Sequence, residues 1–203
     1  ILIFDECTSG FRETLGGLHK KINIYPDMTV LGKAIGNGYA ITSVLGKKEI
    51  MEYAQSTFIS STFWTEKIGS VAANATIKEM EKLESWKIIT AKGKSIIKKW
   101  LYLSKKHNLD ISIKGIPSLC SFFIKSENWL KYKTLITQEM LKSGILANNV
   151  VYSSIAHDTY STNLYFRELD KVFEKIKYCE EDKKLVDKFL TNEVCHSGFK
   201  RLN

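Results

Sequence analysis

The first residues able to do chemistry are two acids closing an apolar run, Ile1-Leu2-Ile3-Phe4-Asp5-Glu6. A strand buried on both faces of a parallel sheet reads this way, and ligands of open α/β sheets gather at its C-terminal end. The same pattern describes the magnesium-binding strand of phosphate-loop ATPases, which also need Gly-x-x-x-x-Gly-Lys-Ser/Thr. The nearest stretch is Gly32-Lys33-Ala34, with Asp27 in place of the first glycine and alanine in place of the hydroxyl, so the ATPase stays a remote alternative. The second reactive feature is Lys33 itself, set among Gly32, Gly36 and Gly38. A lysine held partly desolvated and uncharged becomes a nucleophile and a proton carrier. Cysteines 7, 120, 179 and 195 and histidines 19, 107, 157 and 196 show neither Cys-x-x-Cys nor ligand spacing. No zinc site and no disulfide framework is expected.

The stretch Pro26-Asp27-Met28-Thr29-Val30-Leu31-Gly32-Lys33-Ala34-Ile35-Gly36-Asn37-Gly38-Tyr39, with Asp5-Glu6 upstream, resembles the class III aminotransferases. These are pyridoxal-phosphate (PLP) enzymes of fold type I, and the likeness is to their glutamate-1-semialdehyde aminomutase branch. Gly10-Phe11-Arg12, Leu15-Gly16-Gly17 and Ser60-Ser61-Thr62-Phe63 also look like that branch. The likeness runs strongly over residues 1–82 and weakly beyond. It implies PLP as cofactor, Lys33 as the residue forming the Schiff base, Asp5 as partner of the ring nitrogen and Cys7 against the ring face. It also implies a homodimer with shared sites, in which Thr62 reaches the neighbour's cofactor phosphate. The function so implied is transfer of an amino group between an amino donor and a carbonyl substrate; the alternative is the intramolecular transfer of glutamate-1-semialdehyde 2,1-aminomutase. Departures concern the substrate end. Thr8 stands where the family often has glutamine or methionine, Asn37 where it has glycine, and Trp64-Thr65-Glu66-Lys67 where many members carry Ser-Gly-Asn-Pro. Arg12 is a candidate substrate-carboxylate ligand by its position after the strand.

The physical chemistry of the residues agrees. PLP withdraws electrons while its ring nitrogen is protonated, and a buried carboxylate beside that nitrogen, the role assigned to Asp5, keeps the proton there. Gly36 and Gly38 let backbone pass close to a cofactor, and the Thr62 hydroxyl can donate to phosphate.

These residues require particular elements. Apolar runs at 28–31 and 40–45 predict further strands, and 47–55 a helix. A long helix is expected over 65–84, with Thr65 as N-cap ahead of Glu66 and the apolar positions Ile68, Val71, Ala72, Ala75 and Met80 following. Seven lysines and no acid fall between Trp86 and His107, interleaved with Ile89, Ile96, Ile97, Trp100 and Leu103, which predicts an amphipathic helix with a solvated lysine face. Strands at 110–114 and 119–125, a helix over 131–142 stopping at Gly144, a strand at 145–152 and a helix over 157–177 then form a small α+β unit. The fold class is α/β, and the resemblance implies the fold type I PLP-transferase fold, with residues 1–86 the C-terminal part of the PLP-binding large domain and 87–203 the basic helix plus a smaller α+β domain.

The 203 residues are 44% hydrophobic with two prolines, enough to bury a core. The net charge of +8 is almost all lysine, with arginine only at 12, 167 and 201, which argues against a nucleic-acid partner. No run approaches a membrane span, so no membrane and a reducing cytoplasm are expected. The apolar start without Met reads as a fragment of a longer protein, and the resemblance implies that it is roughly the C-terminal half.

Overall fold

The computed structural model describes residues 1–62 and 64–198; Phe63 and residues 199–203, Arg201 among them, lie outside the described residues. The chain divides into two compact units, Ile1–Thr90 and Ala91–Asn203.

In the first unit, β1 (Ile3–Glu6) pairs in parallel with β2 (Met28–Leu31), and β2 pairs antiparallel with β3 (Ser43–Gly46). A short helix, α1 (His19–Ile22), lies between β1 and β2. The central strand alternates, Thr29 and Leu31 buried and Met28 and Val30 partly so, the period of a pleated strand. Strand β1 was expected to be buried on both faces; Ile3 is instead exposed, as are Ile1 and Leu2 before it. It is the edge of this sheet, so only β2 covers its hydrogen-bonding side.

The helix expected over 47–55 is a single turn, α2 (Lys48–Met51), continued as a 3-10 segment, Glu52–Ser56. Helix α3 spans Ile68–Leu83, starts later than expected, and has no side-chain cap at Lys67. Glu66, not Thr65, satisfies the first turn, accepting from the Ile68 N–H at 3.0 Å. Its buried face is Gly69, Ala73 and Met80, while Ile68 and Val71 are exposed. Small residues win because α3 approaches backbone closely: a Cβ on Gly69 would lie 2.7 Å from the Ala40 carbonyl oxygen. The core gathers Phe11, Leu31, Ile35, Ala73 and Met80.

Helix α4 (Ser85–Lys106) carries the lysine face, and the division between units falls within it. Ile89, Ile96, Trp100 and Leu103 are buried along one stripe, the amphipathic pattern read from sequence. In the second unit β4 (Ile111–Ile116), β5 (Leu119–Ile124) and β6 (Val150–Tyr152) form an antiparallel sheet in that order. Strand β6 is shorter than expected. At the next position the Asn149 side chain takes over the pairing, its amide donating to the Phe122 carbonyl at 3.0 Å while Phe122 N–H donates to the Asn149 carbonyl at 3.0 Å.

Helices α5 (Trp129–Lys142), α6 (Thr159–Glu181) and α7 (Leu185–Phe189) complete this unit. Asp158 caps α6, accepting from Ser161 N–H at 2.7 Å. The core is aromatic at its centre: the Phe122 ring lies 4.9 Å from Trp100 and 5.6 Å from Phe173, both edge-on. Arg167 pairs with Glu168 at 2.8 Å rather than with Asp170 or Glu174, because Asp170 is already held by Lys106 and His107, each at 2.6 Å. All four cysteines are free.

Candidate active site

Parallel pairing puts Glu6 opposite Leu31, so the loops leaving β1 and β2 depart from one edge of the sheet. Asp5 and Glu6 are adjacent in a strand and face opposite sides. Glu6 is buried, and its carboxylate accepts the backbone N–H groups of Leu18 and, at 3.0 Å, of His19, and meets His19 Nδ1 at 2.8 Å. It anchors the glycine-rich loop and is not free for chemistry. Asp5 is exposed rather than buried as expected, because it lies on the edge strand β1, and its Oδ1 accepts the Cys7 N–H at 3.1 Å.

Lys33 opens a 3-10 turn, Lys33–Ile35, with φ at +45°. The left-handed region costs a side-chain-bearing residue about 1 kcal/mol or more. The turn is held because the Lys33 carbonyl accepts N–H from Gly36 at 3.1 Å and from Asn37 at 3.2 Å. Position 36 must be glycine: a Cβ there would lie 2.1 Å from the Tyr39 carbonyl oxygen. The Lys33 amine donates to the Thr8 hydroxyl on the loop after β1.

Cys7 is half-buried against the other loop; a Cβ on Gly32 would meet its Sγ at 3.4 Å. Burial and the neighbouring Asp5 carboxylate push the Cys7 thiol up from its ordinary 9.0, while the Lys33 charge pulls it down. A carboxylate, a thiol, a hydroxyl and a primary amine thus meet where two parallel strands end.

Beside Lys33 opens a cleft of about 410 Å³, lined by Arg12, Lys33, Asn37, Gly38 and Tyr39 among others, with Arg12 and Lys33 its charged members. A wider recess of about 970 Å³ is lined by Ser61, Trp64, Thr42, Glu66 and Ser70 among others. Thr62 is exposed and lines neither. The Thr8–Lys33 contact went unread in the sequence. Its signal was a count, since each residue lies two positions past the last paired residue of its strand, but the count has meaning only once the Glu6–Leu31 register is known. Among the described residues no cluster of His, Cys, Asp or Glu could hold a metal ion, and no helix is long and apolar enough to cross a membrane.

The sequence matches the aminotransferase class-III family over residues 1–176. It is 36% identical over 139 residues to 3-aminobutyryl-CoA aminotransferase of Cloacimonas acidaminovorans (strain Evry), covering 68% of this chain and 34% of that protein. It is 31% identical over 190 residues to glutamate-1-semialdehyde 2,1-aminomutase of Saccharolobus islandicus (strain L.S.2.15 / Lassen #1), covering 85% of this chain and 44% of that protein. Two solved structures share the fold. The PLP internal aldimine form of the FumI protein of Sphingopyxis sp. MTA144 superposes with a TM-score of 0.81 at 19% identity, over 93% of this chain and 46% of that one. An S-selective transaminase from Arthrobacter sp. with alanine bound gives 0.75 at 17% identity, over 89% and 46%. The chain therefore spans less than half the length of these relatives, and its fold is that of the fold type I transaminases.

Proposed function

The chain belongs to the class-III aminotransferases, and on that premise we propose that it carries the lysine-bearing part of a PLP site that moves an amino group from an amino donor to a carbonyl acceptor. The observation that carries the reading is the joint delivery of Asp5 and Lys33 by paired parallel strands to one sheet edge. The donor set fits the cofactor: an exposed carboxylate for a protonated ring nitrogen, and an exposed primary amine for an aldehyde, with the cleft alongside. Residues 1–86 are then the C-terminal part of the cofactor-binding domain, and 87–203 the lysine-rich helix and a smaller domain.

PLP, when bound, supplies the electron sink for charge developing at the substrate α-carbon. Asp5 holds the proton on the ring nitrogen by its negative charge. Lys33 takes and returns the proton at the α-carbon, for which a positioned amine close to neutrality is required. Cys7 packs against the ring, and Arg12, the second cation of the cleft, offers a substrate carboxylate a bidentate partner. Thr62 contacts the phosphate of a neighbouring subunit in a homodimer. In support, the stretch around it exposes Phe58 (95%), Trp64 (66%), Ile68 (61%) and Val71 (64%), more apolar surface than a solvated loop ordinarily shows.

The likeness to aminomutases favours a second reading, in which the amino group and the carbonyl exchange places on one carbon skeleton. The test is to add PLP to the full-length protein, follow the visible absorbance of the bound cofactor, and then add an amino donor. Release of a separate keto acid supports transfer between molecules, and its absence with an isomerised product supports the mutase. A protein that acquires no cofactor band sinks both.

A further inference from the structure

We propose that Thr8 is a positioning residue for Lys33, holding its amine at the sheet edge where Asp5 ends β1. The inference rests on the reading of Lys33 as the cofactor-binding lysine. The Lys33 amine donates to Thr8 Oγ1, and both ends of that contact are fixed independently. At one end, the Lys33 backbone is pinned in a left-handed conformation, with its carbonyl bonded by Gly36 and Asn37. At the other, the loop bearing Thr8 is tied down by Cys7 N–H on Asp5 and by Gly10 N–H on the Glu6 carbonyl at 2.8 Å. Cys7 against Gly32 closes the two loops together.

A lysine stem has four rotatable carbons and a head with three donors, so an anchored backbone alone leaves the amine free to sweep a wide arc. Threonine is β-branched with few χ1 states, so its hydroxyl is a fixed acceptor. Thr8 is also half-buried, which keeps that acceptor from drifting into solvent.

The step that reports on position is the condensation of the neutral Lys33 amine with the aldehyde of PLP. A C=N bond forms and the carbonyl oxygen leaves as water. Borohydride in the assay then adds hydride to that carbon and leaves a stable secondary amine. The test compares the rate of this covalent capture in the full-length protein for wild type, Thr8→Val and Thr8→Ser, with the modified peptide located by mass spectrometry. Thr8→Val keeps the shape and removes the acceptor for the neutral amine, so capture should slow about five- to tenfold, the scale of one lost neutral hydrogen bond. Thr8→Ser keeps the acceptor and should stay within about twofold of wild type. Non-covalent PLP affinity in a Lys33→Ala background should be the same with Thr8 as with valine.

A label on another lysine in wild type overturns the reading of Lys33 and this proposal with it. A label on Lys33 with Thr8→Val capturing at the wild-type rate overturns the positioning role alone. The same holds if Thr8→Ser is as slow as Thr8→Val, which would assign the effect to packing of the methyl group. It holds too if Thr8→Val weakens cofactor binding without Lys33, which would make Thr8 a direct cofactor ligand.

Discussion

Among the described residues, the second unit gathers eighteen buried apolar side chains into one core and the first gathers five. The side chains proposed to do the chemistry, Asp5 and Lys33, sit on the thinner unit. There, position is set by loop hydrogen bonds, a left-handed lysine and close glycine contacts; in the second unit, Trp100, Phe122, Tyr132 and Phe173 are fully enclosed and packing does the work. Chemistry and stability are therefore separable in this chain, since the side chains that would touch a cofactor contribute little to any core.

The separation is broken or sharpened most directly by Lys33→Ala. It should abolish turnover and covalent capture of PLP while leaving the unfolding transition within about 0.5 kcal/mol of wild type, because Lys33 is exposed. Capture persisting on another lysine would remove the first unit's claim to the chemistry. Asp5→Asn comes next: an amide does not stabilise the pyridinium charge, so cofactor should still bind while turnover falls about 100-fold or more. Near-normal turnover would make Asp5 a strand-end acid.

On the other side of the comparison, Trp100→Ala should cost about 3–5 kcal/mol, from lost burial, a cavity and loss of the hydrogen bond that Trp100 Nε1 donates to the Tyr165 hydroxyl at 3.0 Å, whereas Phe58→Ser should move monomer stability by less than about 0.5 kcal/mol. Denaturant midpoints measure both, and equal effects would erase the contrast between the units.

Thr62→Ala should weaken PLP binding by about 1–3 kcal/mol, the scale of a hydrogen bond to a charged group. Mixing Lys33→Ala and Thr62→Ala subunits sharpens this, because one site of a heterodimer then carries both lesions and the other neither, so about half the wild-type activity per dimer should return. If the heterodimer forms and nothing returns, Thr62 acts within its own subunit or not at all.

The smallest effect is a pH dependence in the second unit. Burial pushes the Glu139 carboxyl up, but Lys142, Lys175 and Gln138 more than offset it and hold it at about 2 against an ordinary 4.5. A depressed folded value means stabilisation present in full above about 4.5 and lost as pH falls toward about 2. Glu139→Gln should flatten the acid limb of the stability curve over that interval, and an unchanged slope there would assign acid sensitivity elsewhere.

What the sequence by itself determined is whatever depends on neighbours along the chain. The run ending in Asp5, the glycine setting of Lys33, the lysine-faced helix with Trp100 on its buried stripe and the strands near 110–114 and 119–125 all follow from local alternation and helical period. The family likeness rested on the same short patterns. What only the tertiary structure decided needed a partner far away in the chain. Glu6 became a loop anchor because Leu18 and His19 fold back onto it. Helix α3 turned Gly69 and Ala73 inward, leaving Ile68 and Val71 exposed, because the Ala40 carbonyl approaches too closely for larger side chains. Arg167 took Glu168 because Asp170 was already claimed from α4. Thr8 found Lys33 because the register of two parallel strands, a long-range hydrogen-bond pattern with no local signature, sets their loops side by side.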